Sequence, residues 1–168
     1  MIHTLLDGTR VLLRPIEPGD KQRLSLALGR LSRETIRRRF FAAKPRFTSG
    51  ELRYLTEVDG RNHLALVALL ADDPDAIVGV ARCVRLPEEP ATAEFAIVVG
   101  DALQGRGLGT LLARQLAAAA RAAGIRRFAA SMLGENDAIR RLMRTITDHL
   151  EHDRISGGVR EVVVDLAA

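Results

Sequence analysis

The run QGRGLGTLLARQL, residues 104–116, sets three glycines within five positions and then passes straight into a helical apolar pattern. It follows AEFAIVVGD (93–101), which alternates as a strand does. Each glycine inside a regular element costs about 0.5–1 kcal/mol relative to alanine, so the joint between strand and helix needs a bare backbone for some other reason. The first amides of a helix have no internal acceptor. Glycines leave them accessible, and the helix dipole adds partial positive charge, which suits a phosphate. Gln104 and Arg106 flank the loop as further donors. The alternative use of the glycines is close packing at a turn.

Two phosphate-binding patterns are excluded. A P-loop requires Lys then Ser or Thr after its last glycine, and here Thr110 follows Gly109 directly with no lysine. The dinucleotide fingerprint requires a glycine where Thr110 stands, and an early parallel unit.

Outward from the loop, the order of elements is mixed. TRVLLRPI (9–16) predicts an opening strand, and Leu24, Leu28 and Leu31 predict a helical region over 19–41 that closes with IRRRFF. Thr48 and Glu51 form a capping-box signature for a helix over 49–58. HLALVALLA (63–71), AIVGVARCVRL (76–86) and ATAEFAIVV (91–99) read as strands joined by the turns DDPD and PEEP, too short for parallel crossovers. A helix over 107–123 stops at Gly124, IRRFAASML (125–133) is a strand, and a helix runs from Asn136 to Asp148. EHDRISGGVREVVVDL (151–166) predicts a hairpin turning at Ser156-Gly157-Gly158.

Composition bounds the rest. The chain has 168 residues, 47% apolar and 27% charged, with a net charge of +4. That favours one domain with a proper core. No apolar run is long enough to span a bilayer, and MIHTLLDGTR lacks a signal-peptide apolar region, so the expected location is cytoplasmic, with no membrane partner. The single cysteine, Cys83, precludes an internal disulfide and fits a reducing compartment. Symmetric pairing about PEEP would bring it near Glu94, and an inert buried thiol is its expected state. Scarce aromatics argue against a nucleic-acid surface, and the scattered histidines offer no metal-ligand spacing.

Gln104-Gly105-Arg106-Gly107-Leu108-Gly109 resembles the Q/R-x-x-G-x-G/A signature of the GNAT superfamily of N-acetyltransferases. TRVLLRPIEPGD and ENDAIRRLM resemble other family segments. The resemblance implies one N-acetyltransferase domain over 1–168, with a mixed α/β (α+β), largely antiparallel twisted sheet flanked by helices. It implies acetyl-CoA as co-substrate and direct acetyl transfer to a primary amine. LRPIEPGD, LSRETIRRRFF and AEFAIVVGDALQGRGLG look like the catalytic domain of bacterial protein-lysine acetyltransferases, so the acceptor is a protein lysine or a small amine.

Residue by residue, the resemblance implies that Gln104, Gly105, Arg106, Gly107, Leu108, Gly109 and Thr110 hold the pyrophosphate. Ile97, Val98 and Val99 offer backbone groups to the cofactor arm. Asn136 hydrogen-bonds that arm or caps a helix. Glu94 is the catalytic base, its pKa raised by burial, or else a carboxylate paired with Arg82 or Arg85. Many members carry a tyrosine acid at the position of Met143, so no general acid is assigned. Arg37, Arg38, Arg39, Arg46 and Arg53, in the region expected to line the acceptor site, suit an acidic acceptor. A non-catalytic acyl-CoA sensor of the same fold is the second class, and self-pairing stays open.

Overall fold

A computed structural model of the chain describes residues 1–166; Ala167 and Ala168, the end of the expected domain span, lie outside the described residues. Eight strands form one sheet: β1 (Ile2–Thr4), β2 (Arg10–Pro15), β3 (His63–Leu70), β4 (Asp73–Arg85), β5 (Thr92–Val99), β6 (Arg127–Leu133), β7 (Leu150–Ser156) and β8 (Val159–Asp165). Their spatial order is β1-β2-β3-β4-β5-β6-β8-β7. Every neighbouring pair is antiparallel except β5–β6, which the α4 crossover (Leu108–Ala122) makes parallel. The mixed, largely antiparallel sheet expected from the sequence is present.

The meander follows the alternation of its strands, with two differences. The three residues of β1 pair Ile2 with Leu12 on an exposed edge, too short a run to show a period. The DDPD turn tightens, so that β4 already begins at Asp73, beside a register shift after Ala68. The helical region 19–41 divides into α1 (Lys21–Gly29) and α2 (Arg33–Phe40). Ser32 starts α2 by accepting the Thr35 amide. Thr48 and Glu51 complete the expected capping box of α3 (Ser49–Thr56). Gly157 and Gly158, both at positive φ, close the β7–β8 hairpin, as a two-residue turn of matching twist requires.

Each face of the sheet buries its own layer. Leu108, Leu112, Ala113, Leu116, Ala117 and Ala120, spaced three and four apart, press α4 against one face, where α5 (Asp137–Ile146) also packs. A Cβ on Gly79 would stand 2.8 Å from Leu112 Cδ1, so that glycine sets how closely α4 approaches β4. The opposite face carries Ile16, Leu24, Val67, Ile77 and Val80 beneath α1 and α3. Among the described residues no helix is long and apolar enough to cross a membrane.

Candidate active site

The site begins where two strands part. β5 pairs with β6 only from Thr92 to Glu94, opposite Arg127 to Ala129. Beyond Glu94, β5 follows β4 as far as Val99 while β6 follows β8 to Leu133. The wedge between them is a cleft of about 370 Å³, whose walls include Glu94, Ile97, Gly105, Gly109, Ser131 and Asn136.

Register decides which backbone groups face it. The bonds from Leu86 N to Thr92 O and from Gly100 N to Val78 O place Thr92, Glu94, Ala96, Val98 and Gly100 in hydrogen-bonded pairs with β4. The amides and carbonyls of Ile97 and Val99 therefore turn away from β4, toward the wedge. Val98 differs from the reading of the sequence: its backbone is spent on β4, opposite Val80.

Gly105, which lines the cleft, and Gly107 beyond it adopt positive φ (73° and 89°), which only glycine does without strain. Gly107 precedes the first turn of α4, and the Leu111 amide is the first to bond back, to Gly107 O at 3.0 Å. Among the described residues none of the amides of Gly105, Arg106, Gly107, Leu108, Gly109 and Thr110 donates to a protein acceptor. Six consecutive free donors at a helix N-terminus fit a diphosphate. The flanking side chains are otherwise engaged. Gln104 Nε2 donates to Val99 O at 3.1 Å and Thr35 Oγ1 at 3.2 Å, and Arg106 pairs with Asp7. Leu108 is wholly buried and Thr110 half-buried.

Asn136 is 5% exposed, and its Oδ1 accepts the Ala138 amide at 3.2 Å as the cap of α5. Among the described residues its Nδ2 makes no hydrogen bond, and the residue lines the cleft, so the capping role leaves the amide nitrogen free.

Glu94 is the last paired residue before the strands separate. Its side chain is exposed, which corrects the expectation of burial: the divergence of β6 removes the neighbour that would have covered it. It forms no ion pair with Arg82 or Arg85. Arg85 donates to the carbonyls of Pro90 and Ala123, and Arg82 to Leu55 O and His63. The nearby charge is Arg39, whose guanidinium burial lowers from its ordinary value while Glu94 acts in the opposite direction.

Cys83 stands opposite Phe95, whereas Val84 is opposite Glu94, so the thiol lies on the other face of the sheet from the carboxylate. It is wholly buried, and burial pushes it up to about 12. Met143 is 1% exposed within the core, while its neighbours Ile139 and Leu142 line the cleft. Among the described residues no three His, Cys, Asp or Glu side chains gather as a metal site.

The sequence reading did not single out Ser131, an exposed hydroxyl on the β6 wall, or Phe41. Phe41 ends α2 in the left-handed region (φ 61°), a strained state for an aromatic residue that recurs at ligand sites. The FF of IRRRFF was the available signal.

The sequence pattern of the acetyltransferase (GNAT) family matches residues 33–156. An acetyltransferase named Pat from Mycolicibacterium smegmatis is 38% identical over 137 residues, which make up 81% of this chain and 40% of that protein. An acetyltransferase of Pseudomonas aeruginosa is 32% identical over 146 residues, 86% of this chain and 76% of that protein. The solved GNAT domain of S. lividans PAT superposes with a TM-score of 0.88 at 31% identity, covering 99% of this chain and 96% of that one. This chain thus spans about two fifths of the Mycolicibacterium relative and nearly all of the solved domain.

Proposed function

The chain belongs to the acetyltransferase (GNAT) family, and we propose that it moves an acetyl group from acetyl-CoA directly to a primary amine, a lysine side chain of another protein. The observation that carries this reading is the position of Glu94 at the apex of a wedge whose lining also includes Gly105 and Gly109 from the run of six free amides. One cleft then offers a carboxylate to an amine and a diphosphate cradle to coenzyme A.

The work divides among the residues by their chemistry. The amides of 105–110 hold the pyrophosphate, assisted by the helix dipole. Asn136 Nδ2 and the backbone of Ile97 and Val99 hold the pantetheine arm, and a backbone donor there polarises the thioester carbonyl. The acceptor is an ammonium at neutral pH, and Glu94 takes its proton directly or through water. The neutral amine adds to the carbonyl carbon, and the carbon–sulfur bond breaks as the tetrahedral species collapses. Met143 presents no acid at the cleft, so solvent or the acceptor's own proton neutralises the departing thiolate. Lysine as acceptor is supported by the resemblance of residues 13–20, 31–41 and 93–109 to lysine acetyltransferases. The exposure of Glu94 and Ser131 also leaves the site open to a side chain presented from a protein surface.

Thiol release from acetyl-CoA, measured over lysine peptides and small amines, tests the reading. Glu94→Gln is expected to lower turnover by about 10²–10⁴-fold, the usual range for an acid–base group, with coenzyme A affinity retained. Unchanged turnover would remove Glu94 from the mechanism, and tight binding with no release for any amine would make the protein a sensor.

A further inference from the structure

Among the described residues two arginines beside the cleft make no ion pair, although Arg39 feels the charge of Glu94. Arg82, in the middle of β4, is 6% exposed. Its Nη1 donates to Leu55 O at 3.1 Å and contacts His63 Nε2 at 3.0 Å, and among the described residues no carboxylate pairs with it. Among the described residues its Nε and Nη2 make no hydrogen bond. Arg39, at the end of α2, is half-buried, and among the described residues its side chain makes neither a hydrogen bond nor an ion pair; its guanidinium lies 4.9 Å from the Phe40 ring centroid. Buried arginines are almost always paired, because an uncompensated charge is costly to desolvate. Here burial, and then the charge of Arg39, pushes Arg82 down to about 10.

Both side chains line one small chamber of about 40 Å³, walled by Ala96 and Val98 of β5 and by Phe40 and Phe47. That is room for about three waters, the bulk of a single carboxylate. Arg39, Ala96 and Val98 also line the main cleft, so the two spaces share a wall. Glu94, Ala96 and Arg82 lie on one face of the sheet, Ala96 directly opposite Arg82.

We infer that Arg39 and Arg82 form an anion subsite within the acceptor site, which takes a carboxylate carried by the acceptor beside its amine. The inference deepens the transfer reading and rests on it for the identity of the amine. Guanidinium forks match carboxylates through paired hydrogen bonds, while Glu94 repels an anion and attracts an ammonium. The site thus sorts the two ends of an acceptor that carries both charges. An acidic residue next to the acceptor lysine and a free amino acid share this chemistry.

Binding distinguishes these sources without relying on turnover. Calorimetry in the presence of coenzyme A compares the capped dipeptide Lys-Glu with capped Lys-Gln, and γ-aminobutyrate with butylamine. The carboxylate member of at least one pair is expected to bind about tenfold tighter or more, and the pair that responds identifies the source. Arg39→Gln is expected to abolish the preference and Arg39→Lys to restore part of it. Arg82→Gln should act alike; if that variant fails to fold, the Arg39 pair decides. Equal binding of both members in both pairs, or a preference that survives Arg39→Gln, overturns the inference. Thiol release on the same compounds judges the transfer reading separately: a preference without release contradicts transfer and leaves the subsite standing, while release without a preference does the reverse.

Discussion

The carboxamide of Gln104 donates to the carbonyl of Val99 across 3.1 Å, fastening the first residue of the glycine loop to the last residue of β5. The same nitrogen reaches Thr35 Oγ1 at 3.2 Å. Asp101 reinforces the joint by accepting from the Ser32 amide, the Ser32 hydroxyl and the Thr35 hydroxyl at 2.7–2.9 Å. The glycine loop and helix α2 are thus held by one polar network.

Gln104→Leu should therefore disturb the loop without touching a ligand. Losing these bonds orphans the Val99 carbonyl, at about 1–2 kcal/mol. Coenzyme A affinity is expected to fall about 5–30-fold by calorimetry, with a lowered melting temperature.

Asp20 carries the joint between β2 and α1. It is wholly buried and bidentate with Arg14 (2.7 and 2.8 Å), and it also accepts the Glu17 amide at 2.9 Å. Burial pushes its carboxyl up, but the bonds from Arg14 and Glu17 outweigh that and hold it below the ordinary value. Removing one partner of such a pair leaves the other uncompensated. Asp20→Ala is expected to cost about 3–5 kcal/mol, read from denaturant unfolding.

Stability should respond to pH through His63. Burial first, and then the charge of Arg82, push its imidazole from 6.5 down to about 4. The folded value lies below the unfolded one, so between them the unfolded chain binds more protons. The His63 contribution is complete above pH 6.5 and is lost as pH falls toward about 4. The melting temperature is expected to decline across that window, and His63→Gln, which keeps an acceptor for Arg82, should flatten the decline. An equally steep decline in the variant would assign it to other groups.

Local signals were legible in the sequence. The meander, the capping box at Thr48 and Glu51 and the glycine joint each follow from residues within a few positions of one another. The break between α1 and α2 was hidden because the leucine spacing runs on to Leu31 and masks the Ser32 cap. The wedge at Glu94 was not legible, since it depends on β6 leaving β5 for β8, a strand some thirty residues further on. For the same reason the sequence could not show Glu94 exposed, or Arg39 and Arg82 brought to one chamber from separate elements. Cys83 was misplaced by a single register step, which in a sheet exchanges faces.

The central claim is that bare amides opening α4 hold a diphosphate. Gly109 offers the most direct test, because its φ is not positive and an added Cβ would meet only ordinary contacts, Val99 Cγ2 at 3.7 Å and Leu142 Cδ1 at 3.8 Å. Those contacts accommodate the Cβ of Gly109→Ala, and Gly109→Val adds two further methyl groups beside the free amides where Gly109 lines the cleft. Coenzyme A titrated by calorimetry into the wild type and into this variant, its fold verified by circular dichroism, is expected to show affinity reduced by about tenfold or more. Equal affinity in the folded variant would contradict the account.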